Sequence, residues 1–282
     1  MLLQLLSIHF CYAQPTKIRV WSHTEDKPGI IGRTMHRALQ LTNQEFGSYT
    51  IIRSNEMGQD RALRALAHDQ LDIAHFVATE SREQQAIAVY TPIMQGLLGY
   101  RLCLIDAVNQ EKFFKITNVE QWIEKELTIG QHHNWPDSAI LKDNNLKIVT
   151  TYKSDLLFQQ LAKNRFDCFA RGLSEISDEQ LKYQQHGIVI EKNIVIYYPL
   201  AQFFFVNPEK PILAKRLQKG LSLLQESGEL NDLFDNYYRE KINQLNLRSR
   251  VFIPLNNNTL SKKTIKALET PSTRFKKIYL SD

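Results

Sequence analysis

No Gly-x-Ser-x-Gly elbow, Walker loop or Gly-rich dinucleotide turn occurs in this chain. Those local geometries expose a serine nucleophile or cradle phosphates, so nothing in the motifs supports such chemistries. His-Glu-x-x-His is also missing, and no Cys/His spacing suits a zinc site. His132 and His133 are adjacent, so on a helix or strand they point apart; neither a metal nor any other cofactor is expected. Cysteine is scarce, with three in 282 residues. Beyond the first fifteen residues no stretch is long and apolar enough for a membrane helix. Charge of one sign is not concentrated either: 35 basic residues against 30 acidic ones give +5. Apart from a basic cluster near the C-terminus they are spread out, which argues for solubility and a mild preference for anions, not for a nucleic-acid partner.

What is present is globular in character, with 43% hydrophobic and 23% charged residues. The length permits two domains, each with its own core. The opening run MLLQLLSIHFCYAQP closes on Cys11-Tyr12-Ala13, with small residues three and one before a break. That pattern predicts a signal peptide over 1–13, cleavage after Ala13 and export to the periplasm.

The periodicity then alternates strand and helix. Strands are predicted at Lys17–Trp21, Tyr49–Arg53 and Ile73–Val77, with helices at 31–46 and, capped by Asp60, at about 61–71. This order specifies an α/β sheet with covering helices. A second series follows: a strong strand at 96–106, a helix capped by Asn118, and strands at 127–130, 146–150 and 165–169. Helices begin near Pro136 and after a Ser154 cap, and apolar runs follow at 188–198 and 203–206. The helices Pro211–Glu226 and Glu229–Arg239 close the globular part; a packed extension to about Leu260 and a loose tail are expected beyond it.

Ligands of open α/β sheets bind at the carboxyl ends of the strands. Trp21, His23, Thr24 and Glu25 follow the first strand, and His75 and Val77 lie on the strand that runs into Thr79-Glu80-Ser81-Arg82. Arg82 either offers its five-donor fork to a carboxylate or phosphate, or merely caps a surface turn. In the second half, His132-His133-Asn134-Trp135 precedes a helix whose first N–H groups could face an anion.

The Thr79-Glu80-Ser81-Arg82 stretch, with Tyr90-Thr91-Pro92 after it, resembles the ligand-binding segment of the family 3 periplasmic solute-binding proteins. The Gly228-bearing helix pair is similar to that family's ending. The resemblance implies a two-lobe, type II periplasmic-binding α/β fold with two hinge strands. Lobe 1 would comprise 16–105 and 200–245, lobe 2 would comprise 106–199, and 246–282 would form an extension. It also implies that Arg82 holds a ligand carboxylate and that the lobes close by hinge motion onto Asn134 and Trp135.

Two departures stand out. His-His-Asn-Trp replaces the small Gly-Thr or Gly-Ser loop, and Arg171-Gly172 stands where an ammonium-binding aspartate would be. Arg171 either faces the cleft, favouring a ligand with several anionic groups, or pairs with Glu175 at i+4. After cleavage only Cys103 and Cys168 remain. Export permits a disulfide, but on this reading they lie in different halves and a bridge would lock the cleft, so buried free thiols are expected.

The expected function is that of an exported, monomeric solute-binding protein of an ABC-type uptake system, not an enzyme. It would bind a small anionic or amino-acid-like ligand through Arg82, Thr79, Val77, His75, Trp21, His23, Asn134, Trp135 and Arg171. A membrane permease or sensor would be its partner. The alternatives are a periplasmic sensor module whose basic tail touches a membrane partner, and a two-lobe enzyme with His132 or His133 as general base.

Overall fold

The computed structural model describes residues 14–25 and 29–280. The leader expected over 1–13 lies outside these residues. The first half builds β1 (Thr16–Val20), α1 (Ile30–Leu41), α2 (Asn43–Phe46), β2 (Tyr49–Arg53), α3 (Gln59–Ala67), β3 (Ile73–Val77), α4 (Glu80–Gln85) and β4 (Ile87–Val89). Then come β5 (Tyr100–Asp106), α5 (Val119–Glu124), β6 (Thr128–His132), α6 (Pro136–Asp143), β7 (Lys147–Thr151), α7 (Ser154–Leu161) and β8 (Cys168–Gly172). The remainder is α8 (Ile176–Tyr183), β9 (Ile188–Ile190), β10 (Ile194–Tyr197), β11 (Gln202–Val206), α9 (Pro211–Glu226), α10 (Glu229–Asn243), β12 (Val251–Pro254) and α11 (Lys262–Tyr279).

The strands form two sheets, β2-β1-β3-β11-β4 and β12-β10-β5-β8-β6-β7, with β9 paired to β5. In the first, β1 runs parallel to β2 and β3, while β11 is antiparallel to β3 and β4. After Gln202, strand β11 is apolar because both of its faces are buried. Phe203 and Phe205 pack with Trp21 and Phe76 on one face, and Phe204 packs with Leu217 and Leu221 of α9 on the other. The chain crosses between sheets at 90–99 and again at 198–201.

Several local expectations shift. The helix predicted over 31–46 breaks at Thr42, whose hydroxyl donates to the carbonyls of Ala38 (3.1 Å) and Leu39 (2.9 Å). This is the competition with backbone bonding that makes threonine a poor mid-helix residue. Asp60 is not the cap of α3; Gly58 holds that position, and Asp60 sits in the first turn, where its charge favours the helix dipole. Ser154 is likewise the first residue of α7 rather than its cap. Asn118 does cap α5, accepting the Gln121 N–H at 2.9 Å.

Two larger corrections follow. Cys103 and Cys168 are not free thiols but a disulfide. Strand β5 belongs to the second sheet and pairs directly with β8, so the two cysteines are neighbours within one sheet and their bridge leaves the inter-lobe crossings untouched. The tail beyond Leu260 is not loose. It is α11, capped by Ser261, whose hydroxyl accepts the Thr264 N–H at 3.1 Å. Its buried face of Thr264, Leu268, Pro271, Phe275 and Tyr279 repeats every three or four residues. Full burial of an apolar side chain of this size stabilises by roughly 1.5–3 kcal/mol, enough to hold α11 in place.

The disulfide closes a loop of 65 residues, for which chain entropy predicts about 4 kcal/mol of stabilisation. Reduction, or Cys103→Ser with Cys168→Ser, is expected to lower the unfolding free energy in a urea titration by about that amount. An unchanged midpoint under reducing conditions would show that the bridge contributes nothing to the fold.

Candidate functional site

The Arg82 stretch is a short helix rather than an open turn. Thr79 caps α4, its hydroxyl accepting the Arg82 N–H at 3.3 Å. The cap turns the Arg82 side chain back over the Phe76 ring, with 5.4 Å from guanidinium carbon to ring centre. Nη1 donates to the Val77 carbonyl at 2.9 Å, and Nη2 donates to Gln59 Oε1 at 3.1 Å. Among the described residues the other three of its five N–H groups have no acceptor, and no carboxylate pairs with it. Burial therefore lowers its pKa, opposed only by the more distant charge of Asp60.

Arg82, Thr79 and Ser81 form one wall of a cleft of about 660 Å3. The opposite wall is Asn134, Trp135, Ser138 and Lys142 of the second lobe, and Thr259 of the C-terminal segment closes one side. A smaller space of about 420 Å3 adjoins it, between Gln59, Asp60 and Arg64 on one side and His132, Asn134 and Trp135 on the other. The Asn134 amide reaches Asp60 across the gap at 3.5 Å. Arg82, Thr79, Asn134 and Trp135 are thus brought together as the sequence suggested.

The other expected site residues are not. Trp21 is a core residue, 4% exposed, whose indole donates to the Met57 carbonyl at 3.0 Å. His75 lies beside it, with Nδ1 2.7 Å from the Thr24 hydroxyl. Neither they nor His23 and Val77 line the two spaces; Val77 contributes only its carbonyl to Arg82.

Arg171 is corrected most sharply. It is 9% exposed, bonded through Nε and Nη2 to Glu179 at 2.6 Å each, and 3.0 Å from Glu175. Its guanidinium lies 4.8 Å from the Trp135 ring centre and 4.9 Å from that of Phe169. Burial lowers its pKa, but the Glu179 bonds and both carboxylate charges outweigh that and hold it above the usual value. Arg171 therefore supports Trp135 from behind and brings no free charge to the cleft.

The first turn of α6 is also already supplied. Asp137 sits there, 7% exposed, accepting Arg101 Nε at 2.8 Å and the Tyr198 hydroxyl on the same oxygen. Burial pushes the Asp137 carboxyl up, and the Arg101 charge and hydrogen bonds more than reverse this, leaving it below the carboxylate range. His132 has no free ring nitrogen: Nδ1 accepts the Asn134 N–H at 3.2 Å, so Nε2 carries the proton donated to the Tyr152 carbonyl at 2.9 Å.

Sequence reasoning missed Gln59, Lys142 and Thr259. Lys142 falls four residues after Ser138 on one helix face, a spacing that could have flagged it. Nothing local marks Gln59 or Thr259.

No family model matches the chain, and no characterised protein is recognisably similar in sequence. Solved structures are similar in fold. An ancestral arginine-binding protein bound to arginine superposes with a TM-score of 0.56 at 15% identity, over 79% of this chain and 99% of its own. A binding component of an ABC transporter from Wolinella succinogenes, complexed with lysine, gives 0.56 at 15% identity, over 80% and 97%. A histidine kinase sensor domain similar to periplasmic binding proteins gives 0.56 at 11% identity, over 80% and 97%. The chain has the two-lobe α/β fold of periplasmic binding proteins.

Two outcomes are expected. Removing Glu179 (Glu179→Ala) leaves Arg171 with Glu175 alone and should cost about 2 kcal/mol in urea unfolding, with no effect on ligand affinity. Undiminished stability with lost affinity would instead return Arg171 to the ligand site. For His75, burial and the neighbouring His23 push the pKa down to about 3, so the native imidazole stays neutral where the unfolded chain takes up a proton. Stability tied to this group is therefore complete above about pH 6.5 and declines as pH falls toward 3, by at most about 1.4 kcal/mol per unit. Unfolding curves at pH 4.5 and 7 should converge in His75→Gln relative to the parent; identical pH dependence would refute the buried neutral state.

Proposed function

We propose that this chain is an exported solute-binding protein that captures a small anionic or amino-acid-like ligand between its lobes for an ABC-type uptake system. It acts in the periplasm as a monomer, with a membrane permease as its partner and no part in nucleic-acid binding or catalysis. The observation that carries this reading is Arg82: a half-buried guanidinium that has, among the described residues, no carboxylate partner and three N–H groups without acceptors, on the wall of a cleft sized for a small molecule. Lys142 on the facing wall adds a second positive charge against Glu80. The solved structures of similar fold include proteins whose own names record arginine and lysine as ligands, which supports a ligand carrying a carboxylate.

A second reading keeps the site and changes the partner. A histidine kinase sensor domain shares the fold, and in that role the basic outer face of α11 would meet a signalling protein. The enzyme reading loses His132, which spends both ring nitrogens on the loop that holds it, and rests on His133, which lines the cleft.

Thermal unfolding against amino acids, dicarboxylates and phosphate tests the proposal. A ligand that binds only the native state adds about 2.7 kcal/mol at a hundredfold excess over Kd. One class of anion should raise the midpoint of the parent and leave that of Arg82→Ala unmoved, with Arg82→Lys intermediate because the charge stays and the fork is lost. Equal shifts in parent and Arg82→Ala would remove Arg82 from the site.

A further inference from the structure

The C-terminal segment joins the two lobes at points where the hinge strands do not. Strand β12 pairs in parallel with β10 in the second sheet, Ile194 opposite Val251 through Tyr197 opposite Pro254. Just beyond it, the Asn144 side chain at the end of α6 donates to the Asn256 carbonyl at 2.8 Å and accepts the Asn256 N–H at 3.0 Å. Asn257 Nδ2 donates to the Pro199 carbonyl of the second crossing at 2.8 Å.

Two residues later the attachments change lobe. The Glu80 N–H donates to the Thr259 carbonyl at 2.9 Å. The Glu83 carboxylate accepts the hydroxyls of Ser261 (2.7 Å), Thr264 (2.6 Å) and Tyr90 (2.9 Å). Leu260 and Leu268 are buried in the first-lobe cluster with Trp21 and Phe76. Helix α11 then turns back to the central cluster, where Phe275 stacks on Tyr100 at 4.4 Å between ring centres. On the way it lies against the first crossing. A Cβ at Gly96, which has a φ of +81°, would come within 3.2 Å of Ser272 Oγ.

We propose that residues 255–264 are a third inter-lobe strap, which forms a side wall of the ligand cleft through Thr259 and limits hinge opening, so that ligand enters a cleft held nearly closed. The limit comes from chain length. Three residue steps lead from the second-lobe anchor at Asn256 to the first-lobe anchor at Thr259, and at roughly 3.6 Å each they reach at most about 11 Å. Wider opening must strip the Asn144 or Glu80 bonds or pull Leu260 from its core. This restricts the hinge opening that a two-strand connection alone would allow.

Spin labels on exposed positions of the two lobes, Gln44→Cys and Glu120→Cys in a Cys11→Ser background with the Cys103–Cys168 bridge oxidised, report the separation by electron–electron resonance. The parent protein without added ligand should give one narrow distance distribution. Glu83→Ala, Asn144→Ala, and a protein cut at a protease site inserted after Asn257 should each add a second, separate population, and the cut protein the largest. Two populations already in the parent, or a single unchanged peak in variants that retain a cooperative thermal transition, would overturn the proposal. If the cut protein or Glu83→Ala fails to fold, Asn144→Ala, which removes the reciprocal bonds to Asn256 and one bond to the Ile140 carbonyl within α6, decides it. The outcome does not depend on ligand and is separate from the test of Arg82.

Discussion

A guanidinium withdrawn from water needs an anion or a nearly full set of acceptors, and among the described residues the buried arginines meet this requirement while Arg82 at the cleft does not. Arg19 has Asp72, Arg101 has Asp137 and Arg171 has Glu179. Arg216, 3% exposed and without a carboxylate, instead donates to Thr42, Leu39, Asn43 and Gly47. Arg82 has one carbonyl and one amide oxygen. The elements around it serve to hold it in this state. Thr79 fixes the turn of α4, Phe76 supplies the ring beneath, and Gln59 fixes the direction of the fork. An anion in the cleft would supply what the chain withholds.

The second lobe is organised to present a surface rather than a charge. Trp135 is backed by Arg171 and Phe169, and Arg171 is neutralised by two glutamates on and beside α8. Asp137 is neutralised by Arg101 and held by Tyr198 from the second crossing, which ties the ligand-facing loop to the hinge. What remains to face Arg82 is the Trp135 indole, the Asn134 amide, His133, Ser138 and Lys142.

Much of the fold was legible because local patterns agreed with tertiary demands. Strands β2 and β3 and helix α9 lie where periodicity put them, each bounded by residues that end an element. The failures have specific causes. A strand buried on both faces carries no period-2 signal to fix its ends, so β8 was placed three residues early and Arg171 became an exit residue instead of an interior one. The same ambiguity assigned β5 to the first lobe and separated Cys103 from Cys168. Helix α11 was hidden by Pro271, which ordinarily ends helices but here sits on the buried face. In the cleft, Arg82 and the Asn134-Trp135 loop were readable from their places after strands. Gln59 and Thr259 were not, since their roles arise only from contacts between distant segments.

The Nε–H resonance of Arg82, observed by nuclear magnetic resonance in protein labelled with nitrogen-15 at arginine, tests the central claim most directly. That group has no partner among the described residues, whereas the corresponding groups of Arg101 and Arg171 are bonded to Asp137 and Glu179. Titration with glutamate, succinate and phosphate in turn should move the Arg82 signal saturably with at least one anion and leave the other two arginines in place. An Arg82 signal that stays fixed in all three titrations, or a shift confined to Arg101 or Arg171, would contradict the account.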